Sequence, residues 1–324
     1  MKRIYIKLFL LLISISGFAQ QKPQYSQYMI NPFVMNPAVS GTEDYGDIRV
    51  GYRNQWVGFP GAPKTFYLSG HVPLGKGLVV NNRTKHKKNG FHGVGGLITN
   101  DVTGPTRRFT LNAAYSYHMT LAKKLYASVG LMGGIQQFTL DGSMLTTANP
   151  GDPAISSSTS TSLADINAGF WIYSDKFYIG GALTQVMRQT IYNYSATTGT
   201  TVANSDRGRL SHHYFLTAGY RIPIDDDFTF IPSFLIKAVN PAPVSFDLNC
   251  KVRYRDLLWA GVSYRRQDAV AAMAGVVINE MFDVSYSYDF ITSSMRRYTS
   301  GSHEIVVGYR WKLNQAMRCP SHYW

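Results

Sequence analysis

Three groupings in this chain hold residue types that can do chemistry: His212-His213, Asp225-Asp226-Asp227, and His118, His303 and Glu304 set among many serines. Adjacent histidines would suit a metal or a general base. Both lie in an alternating stretch, however, where neighbouring side chains point to opposite sides. His213 shares a face with Phe215, Thr217 and Arg221, and His212 shares the other with Tyr214, Leu216 and Tyr220. The two imidazoles therefore diverge. Three consecutive aspartates could attract a cation, but a calcium loop spaces its carboxylates at alternate positions and adds a distant Glu. This run reads instead as a solvated turn between strands. No serine has a spacing that fixes it beside a histidine base and an acid. Glu304 points to the same side of its segment as Arg310 and Lys312, which suggests an ion pair. Two cysteines, Cys250 and Cys319, are too few for a disulfide scaffold, and no Cys/His spacing resembles a metal site. The residues predict no catalytic group, no metal and no cofactor.

The elements carrying these residues are more informative. From about residue 46 to the end, apolar and polar residues alternate in segments of roughly ten. In Phe282–Phe290 one face reads Phe282, Val284, Tyr286, Tyr288, Phe290 and the other Asp283, Ser285, Ser287, Asp289. A strand built this way has one oily wall and one wet wall. A soluble sandwich also alternates, but aromatic residues at both ends of the oily face suit the two interfaces of a membrane. The first residues are basic (Met1-Lys2-Arg3, then Lys7), followed by a short apolar core, Leu8–Ile15, and small residues at Gly17 and Ala19. That is the pattern of a cleaved export signal, which would leave a mature start near Gln20. Beyond it the longest apolar run, Ala269–Ile278, has ten residues, whereas a spanning helix needs about 20. Only helices or closed barrels satisfy the backbone in lipid. An exported membrane protein without such helices is an all-β, transmembrane, up-and-down antiparallel β-barrel.

Alternation between turn signals gives about 14 strands. The links after even-numbered strands are mostly short (Asp175-Lys176, Arg255-Asp256), and those after odd-numbered strands include the long Thr139–Ser162, Asn193–Arg209 and Ile291–Ser302. Short periplasmic turns and long outer loops place both barrel ends in the periplasm. One link breaks the pattern: Leu74–Gly90 is long, falls on the periplasmic side and carries Lys76, Arg83, Lys85, Lys87 and Lys88. It is a solvated loop, a docking surface for an acidic periplasmic partner, or the mark of a strand miscount that puts this loop outside. Residues 20–45 lack alternation and contain Asn31-Pro32 and Asn36-Pro37-Ala38, where Asn-Pro favours irregular backbone. They predict an N-terminal plug or periplasmic arm tucked into the lumen. The expected organisation is a signal at 1–19, that segment at 20–45, the barrel at 46–314 and a periplasmic tail at 315–324. The formal charge of +13 falls to about +10 without Lys2, Arg3 and Lys7, which points to anionic lipid headgroups or an acidic partner and not to nucleic acid.

Several stretches go beyond class. Gln24–Gly41, with its two Asn-Pro pairs, resembles the opening of the PorP/SprF family. Arg53-Asn54-Gln55-Trp56, Pro60–Thr65, Ser302-His303-Glu304-Ile305 and the terminal Cys319-Pro320 match that family's pattern too. Its members are outer-membrane proteins of the type IX secretion and gliding machinery. The resemblance implies a non-enzymatic barrel that helps export and anchor a large surface cargo, such as an adhesin with a C-terminal secretion domain. It also implies contact with periplasmic secretion or gliding components. The family offers no catalytic residues to carry over. Asn36-Pro37-Ala38 before such a barrel also resembles the plugged FadL-type transporters of hydrophobic molecules. Those need an apolar lumenal pocket, whereas the inward-facing residues here are mainly Ser, Thr, Asn, Asp, Arg and Gly.

Overall fold

Alternation decides which side of the wall each residue meets. In β1 (Tyr45–Asn54) Asp47, Arg49 and Arg53 are buried while Ile48, Val50 and Tyr52 are exposed. The computed structural model describes residues 22–75, 90–145, 158–191, 209–240, 242–279 and 281–312. These form fourteen antiparallel strands. After β1 come β2 (Lys64–Leu74), β3 (Gly90–Thr103), β4 (Thr106–Ala122), β5 (Leu125–Leu140), β6 (Thr159–Ser174) and β7 (Phe177–Thr184). Then follow β8 (His213–Tyr220, continued at Ile222–Pro223), β9 (Phe228–Val239), β10 (Ala242–Tyr254) and β11 (Leu258–Arg265). The last three are β12 (Ala269–Ile278), β13 (Phe282–Ile291) and β14 (Ser302–Lys312).

Each strand pairs with the next, and β14 pairs with β1 from Tyr45 opposite Lys312 to Asn54 opposite His303, so the sheet closes on itself. Closure removes the free edge that lipid cannot satisfy. The rim where β1 begins and β14 ends is the chain-end rim, and the opposite one is the far rim. Outward aromatic residues collect towards the strand ends: Tyr52, Phe66, Phe109, Tyr214 and Phe290 near the far rim, Phe228, Phe282 and Tyr309 near the chain-end rim. Between them Val50, Leu131, Leu216, Val262 and Val307 are exposed on the outer face, together with Tyr115, Phe234 and Tyr286.

The fourteen strands and the alternation of link lengths agree with the sequence reading. Between the links Asp175-Lys176 and Asn193–Arg209 the alternation predicts one strand over Phe177–Tyr192, and the observed strand is shorter. It stops at Thr184, because Gln185 turns at a φ of 56° and its backbone N–H donates to Asn167 Oδ1 instead of a neighbouring strand. The signal at 1–19, the basic link from Lys76 to Lys88 and the tail at 315–324 lie outside the described residues.

Leu131, at the middle of β5 and 63% exposed, tests which face meets lipid. Leu131→Arg is expected to destabilise the barrel by about 2–4 kcal/mol, the cost of a cation at the bilayer midplane. Guanidinium unfolding in lipid vesicles measures it.

Candidate functional site in the barrel lumen

The inner wall carries charged side chains that are almost wholly buried, so each charge needs a partner close by. Arg53 on β1 donates to Asp289 on β13 at 2.7 Å and lies 3.3 Å from Glu304 on β14. Arg265 on β11 reaches the same Asp289 at 3.2 Å. All four stand towards the far rim and are almost wholly buried. Nearer the chain-end rim a second chain runs Asp47–Arg49–Asp283–Arg310, with contacts of 3.0, 3.1 and 2.6 Å.

The first network holds something that does not belong to the wall. The Ser26 backbone N–H donates to Glu304 Oε2 at 2.6 Å, and its hydroxyl donates to Asp289 at 2.8 Å and meets the Arg53 guanidinium. Gln27 Nε2 donates to the Glu304 carbonyl, and Gln27 Oε1 accepts from Ser285. From this anchor the segment descends through the ring to β1. Tyr28 bonds Asn249 on β10, and Asn31 Nδ2 donates to Ser69 on β2 at 2.7 Å. Pro32 and Pro37 each open a three-residue 3₁₀ turn. Between them, Asn36 Nδ2 donates to the Phe170 and Gly181 carbonyls while its Oδ1 caps the Ala38 N–H. Ser128 on β5 donates to the Ala38 carbonyl at 2.7 Å. Two wall glycines admit this approach: a Cβ at Gly130 would collide with Pro37 and Ala38, and one at Gly169 with the Asn36 amide.

Apolar contacts complete the fit. Phe33, Ala38 and Val39 pack with Leu97, Met132, Trp171 and Tyr173, and Tyr28 and Met29 with Leu235, Trp259 and Met273. The inner wall is therefore less uniformly polar than the sequence reading expected. Phase counting from outward Phe170 would have placed Trp171 and Tyr173 inside.

The residues singled out for chemistry fall apart in space. His213 bonds the Ser211 carbonyl and His212 the Gln185 carbonyl. Asp227 pairs with Arg255 across an exposed turn. Cys250 is exposed on the outer face with a free thiol, and Cys319 lies outside the described residues. Glu304 does take part in an ion pair, but with Arg53 and not with Arg310. Six residues separate Glu304 from Arg310, about 20 Å along a strand, and Arg310 pairs with Asp283. One pairing was not anticipated: Ser116 Oγ lies 2.9 Å from His118 Nε2, both fully buried under Ser40. His118 Nε2 also faces the Ser40 carbonyl at 2.7 Å and Nδ1 faces the Tyr173 hydroxyl, so the pair clamps the descending chain. Among the described residues, no group of three or more His, Cys, Asp or Glu could hold a metal.

Two cavities lie on opposite sides of the segment. The far-rim cavity, about 210 Å³, is bordered by Lys22, Tyr25, Val34 and Pro37, and the chain-end cavity, about 80 Å³, by Ile30, Pro32 and Val39. Lys22 Nζ faces Asn167 Oδ1 at 3.4 Å, so the chain enters from the far half and leaves at the chain-end rim. Burial lowers the Lys22 ammonium to about 8, with Asp165 opposing that shift.

A sheet of fourteen antiparallel strands closed on itself, oily outside and charged within, defines a membrane-spanning β-barrel. Over residues 17–309 the sequence matches the type IX secretion system membrane proteins PorP/SprF, and the chain belongs to that family. A search of curated proteins returns no match. Among solved structures, the crystal structure of a Pseudomonas aeruginosa FadL homologue is similar at 13% identity and a TM-score of 0.51, covering 86% of this chain and 93% of that one. The CymD monoaromatic hydrocarbon channel follows at 11% identity and 0.47, covering 93% and 96%. The first of these likenesses shows the barrel fold alone.

Removing Arg53 leaves two buried carboxylates short of a cation. Arg53→Met is expected to cost about 3–5 kcal/mol, with part of the loss recovered in Arg53→Met/Glu304→Gln. Guanidinium midpoints of the three proteins in vesicles test this. For Lys22 the folded value lies below the ordinary 10.5. Between about 8 and 10.5 the unfolded chain therefore holds more protons, and stability rises with pH across that window. Proteolysis of the N-terminal segment should slow between about pH 7 and about pH 9.5, and Lys22→Gln should abolish the change.

Proposed function

We propose that this barrel is a non-enzymatic component of the type IX secretion and gliding apparatus that helps export and anchor a large surface protein. Its cargo is an adhesin with a C-terminal secretion domain, and its chain-end rim meets periplasmic machinery. The observation that carries the reading is the segment from Ser26 to Ser40, bound across the lumen by the Arg53–Asp289–Glu304 cluster and the Ser116–His118 pair. A barrel whose interior is filled in this way serves as a platform and not as an open porin. Asn31, Pro32, Asn36, Pro37 and Ala38 act as a plug, with the two prolines setting the turns and the two asparagines bonding the wall.

An export signal over residues 1–19 delivers the chain, the far rim faces the outside, and the outer face sits in outer-membrane lipid. Lys76, Arg83, Lys85, Lys87 and Lys88 supply a basic docking loop for an acidic periplasmic partner. A FadL-like carrier of hydrophobic small molecules is the second reading, favoured by Tyr25, Tyr28, Val34, Met35 and Leu235 along the far-rim cavity. The polar side chains from β4 to β7 on the opposite wall favour the first.

Deleting the gene should abolish surface display of the adhesin while leaving its synthesis intact, as read by antibody labelling of whole cells. Undiminished display would overturn the anchoring reading. Restoration by a chain with the five basic loop residues changed to glutamine would remove that loop from the mechanism.

A further inference from the structure

Along β2 and β4 the outward side chains change character in three steps towards the far rim. Leu68 and Leu111 come first, then Phe66 and Phe109, then Lys64 and Arg107. Each step is two residues of strand, about 7 Å. The order is that of a membrane edge: aliphatic in the hydrocarbon, aromatic at the interface, cationic among the headgroups. Lys64 and Arg107 are both exposed and stand in one row, on either side of Val102 of β3. Two strand spacings, about 10 Å, separate their backbones.

Nothing in this part of the chain answers those charges. Neither side chain has an acidic partner among the described residues. Asp101 on the intervening strand faces the other way and accepts from the Thr65 hydroxyl at 2.6 Å. Asp141, two residues beyond the Thr139 that stands opposite Arg107, caps the Ser143 N–H at 3.0 Å. Residues 54–64, 102–107 and 292–303 carry Lys64, Arg107, Arg296 and Arg297 and no acid at all. The chain-end turns differ. There Lys124 pairs with Asp175 and Arg255 with Asp227, both at 2.7 Å, and Lys123 and Lys176 stand next to Lys124 and Asp175.

This far-rim corner is also held in shape. The Gly104 N–H donates to the Gly61 carbonyl and the Val57 N–H to the Gly301 carbonyl, each at 2.8 Å, which ties three loops together. Between the β1–β2 loop and the β3–β4 turn lies an open crevice of about 440 Å³, bordered by Asn54, Phe59, Ala62, Lys64 and Val102. Lys64 on its border is two residues from Phe66 on the lipid-facing wall.

We infer that this crevice holds the phosphate headgroup of a lipid in the far-rim leaflet, with Lys64 and Arg107 on the phosphate and the acyl chains along Phe66, Phe109 and Leu111. Both side chains are long enough to meet over Val102. A phosphate offers charged acceptor oxygens to an ammonium and to the fork of a guanidinium together. An acidic protein in solution would meet the two cations but gain nothing from the oily wall beside them. A lipid engages both. The assignment does not depend on the cargo role and stands or falls separately from it.

The test uses the full-length barrel in an uncharged detergent, with retained lipid read by native mass spectrometry. Phosphatidic acid and phosphatidylcholine are the probes, and inorganic phosphate and a polyglutamate peptide are the competitors. Saturable binding of phosphatidic acid in preference to phosphatidylcholine is expected. Lys64→Gln or Arg107→Gln should weaken it about fivefold each, and the two together about 25-fold. The same double change at Lys124 and Arg255 on the chain-end rim should leave it unaltered. The heat-modified mobility of each variant reports that its barrel is closed, and the single variants carry the test if the double one fails to fold. Equal binding of the two lipids, undiminished affinity in the folded far-rim variants, or an equal loss in the chain-end variant would overturn the proposal. Displacement by inorganic phosphate would reduce the site to one for free phosphate, and displacement by polyglutamate would assign it to a protein; either contradicts the lipid.

Discussion

Everything in this molecule follows from one constraint: a strand in lipid must have every backbone donor and acceptor paired. The β1–β14 ladder meets it by joining the two ends of the sheet over ten residue pairs. With the edge gone, each side chain has only two destinations, and the period of two assigns them. Ile48, Val50 and Tyr52 go to lipid, and Asp47, Arg49 and Arg53 go inward. Closure thus creates the second problem, a wall of buried charge.

The interior solves that problem with its own chain. Arg53, Arg265, Asp289 and Glu304 could pair among themselves, yet they are arranged so that the Ser26 N–H and hydroxyl fill the remaining positions. Such pairs add little net stability, because desolvation offsets their attraction. What they supply is registry, since the Ser26 N–H and hydroxyl bond Glu304 and Asp289 at one place along the segment. The residues that carry the family resemblance converge here. Arg53 and Glu304 flank Ser26, and the Trp56 N–H donates to the Ser302 hydroxyl beside them at 3.0 Å. Widely separated pieces of sequence thereby build one far-rim corner of the barrel.

Much of the fold was legible in the residues. Phe282–Phe290 alternates so cleanly that its two faces could be read directly, and the strand count and the uneven rims followed from similar patterns. The partnership of charges was not legible. Glu304 was expected to pair with a cation on its own strand, but pairing across a sheet depends on register, which places Arg53 directly opposite. The early end of β7 was hidden because Gln185 reads as an ordinary polar residue until Asn167 is seen to take its N–H. The bond from Asn112 Nδ2 to Asp165 Oδ2 at 2.7 Å was hidden in a similar way, because β4 and β6 meet only across Gly134 of β5. Asn31-Pro32 and Asn36-Pro37 signalled irregular backbone correctly, but the glycines that receive it, Gly130 and Gly169, gain their meaning only from the approach of Ala38 and Asn36.

The central claim is that the descending N-terminal segment occupies the lumen of a closed barrel and blocks it. Single-channel recording in planar bilayers tests it directly, comparing the full chain with one lacking residues 22–42. The full chain should show no steady open-pore current, and the deletion should conduct. A full chain that conducts as freely as the deletion would contradict the account.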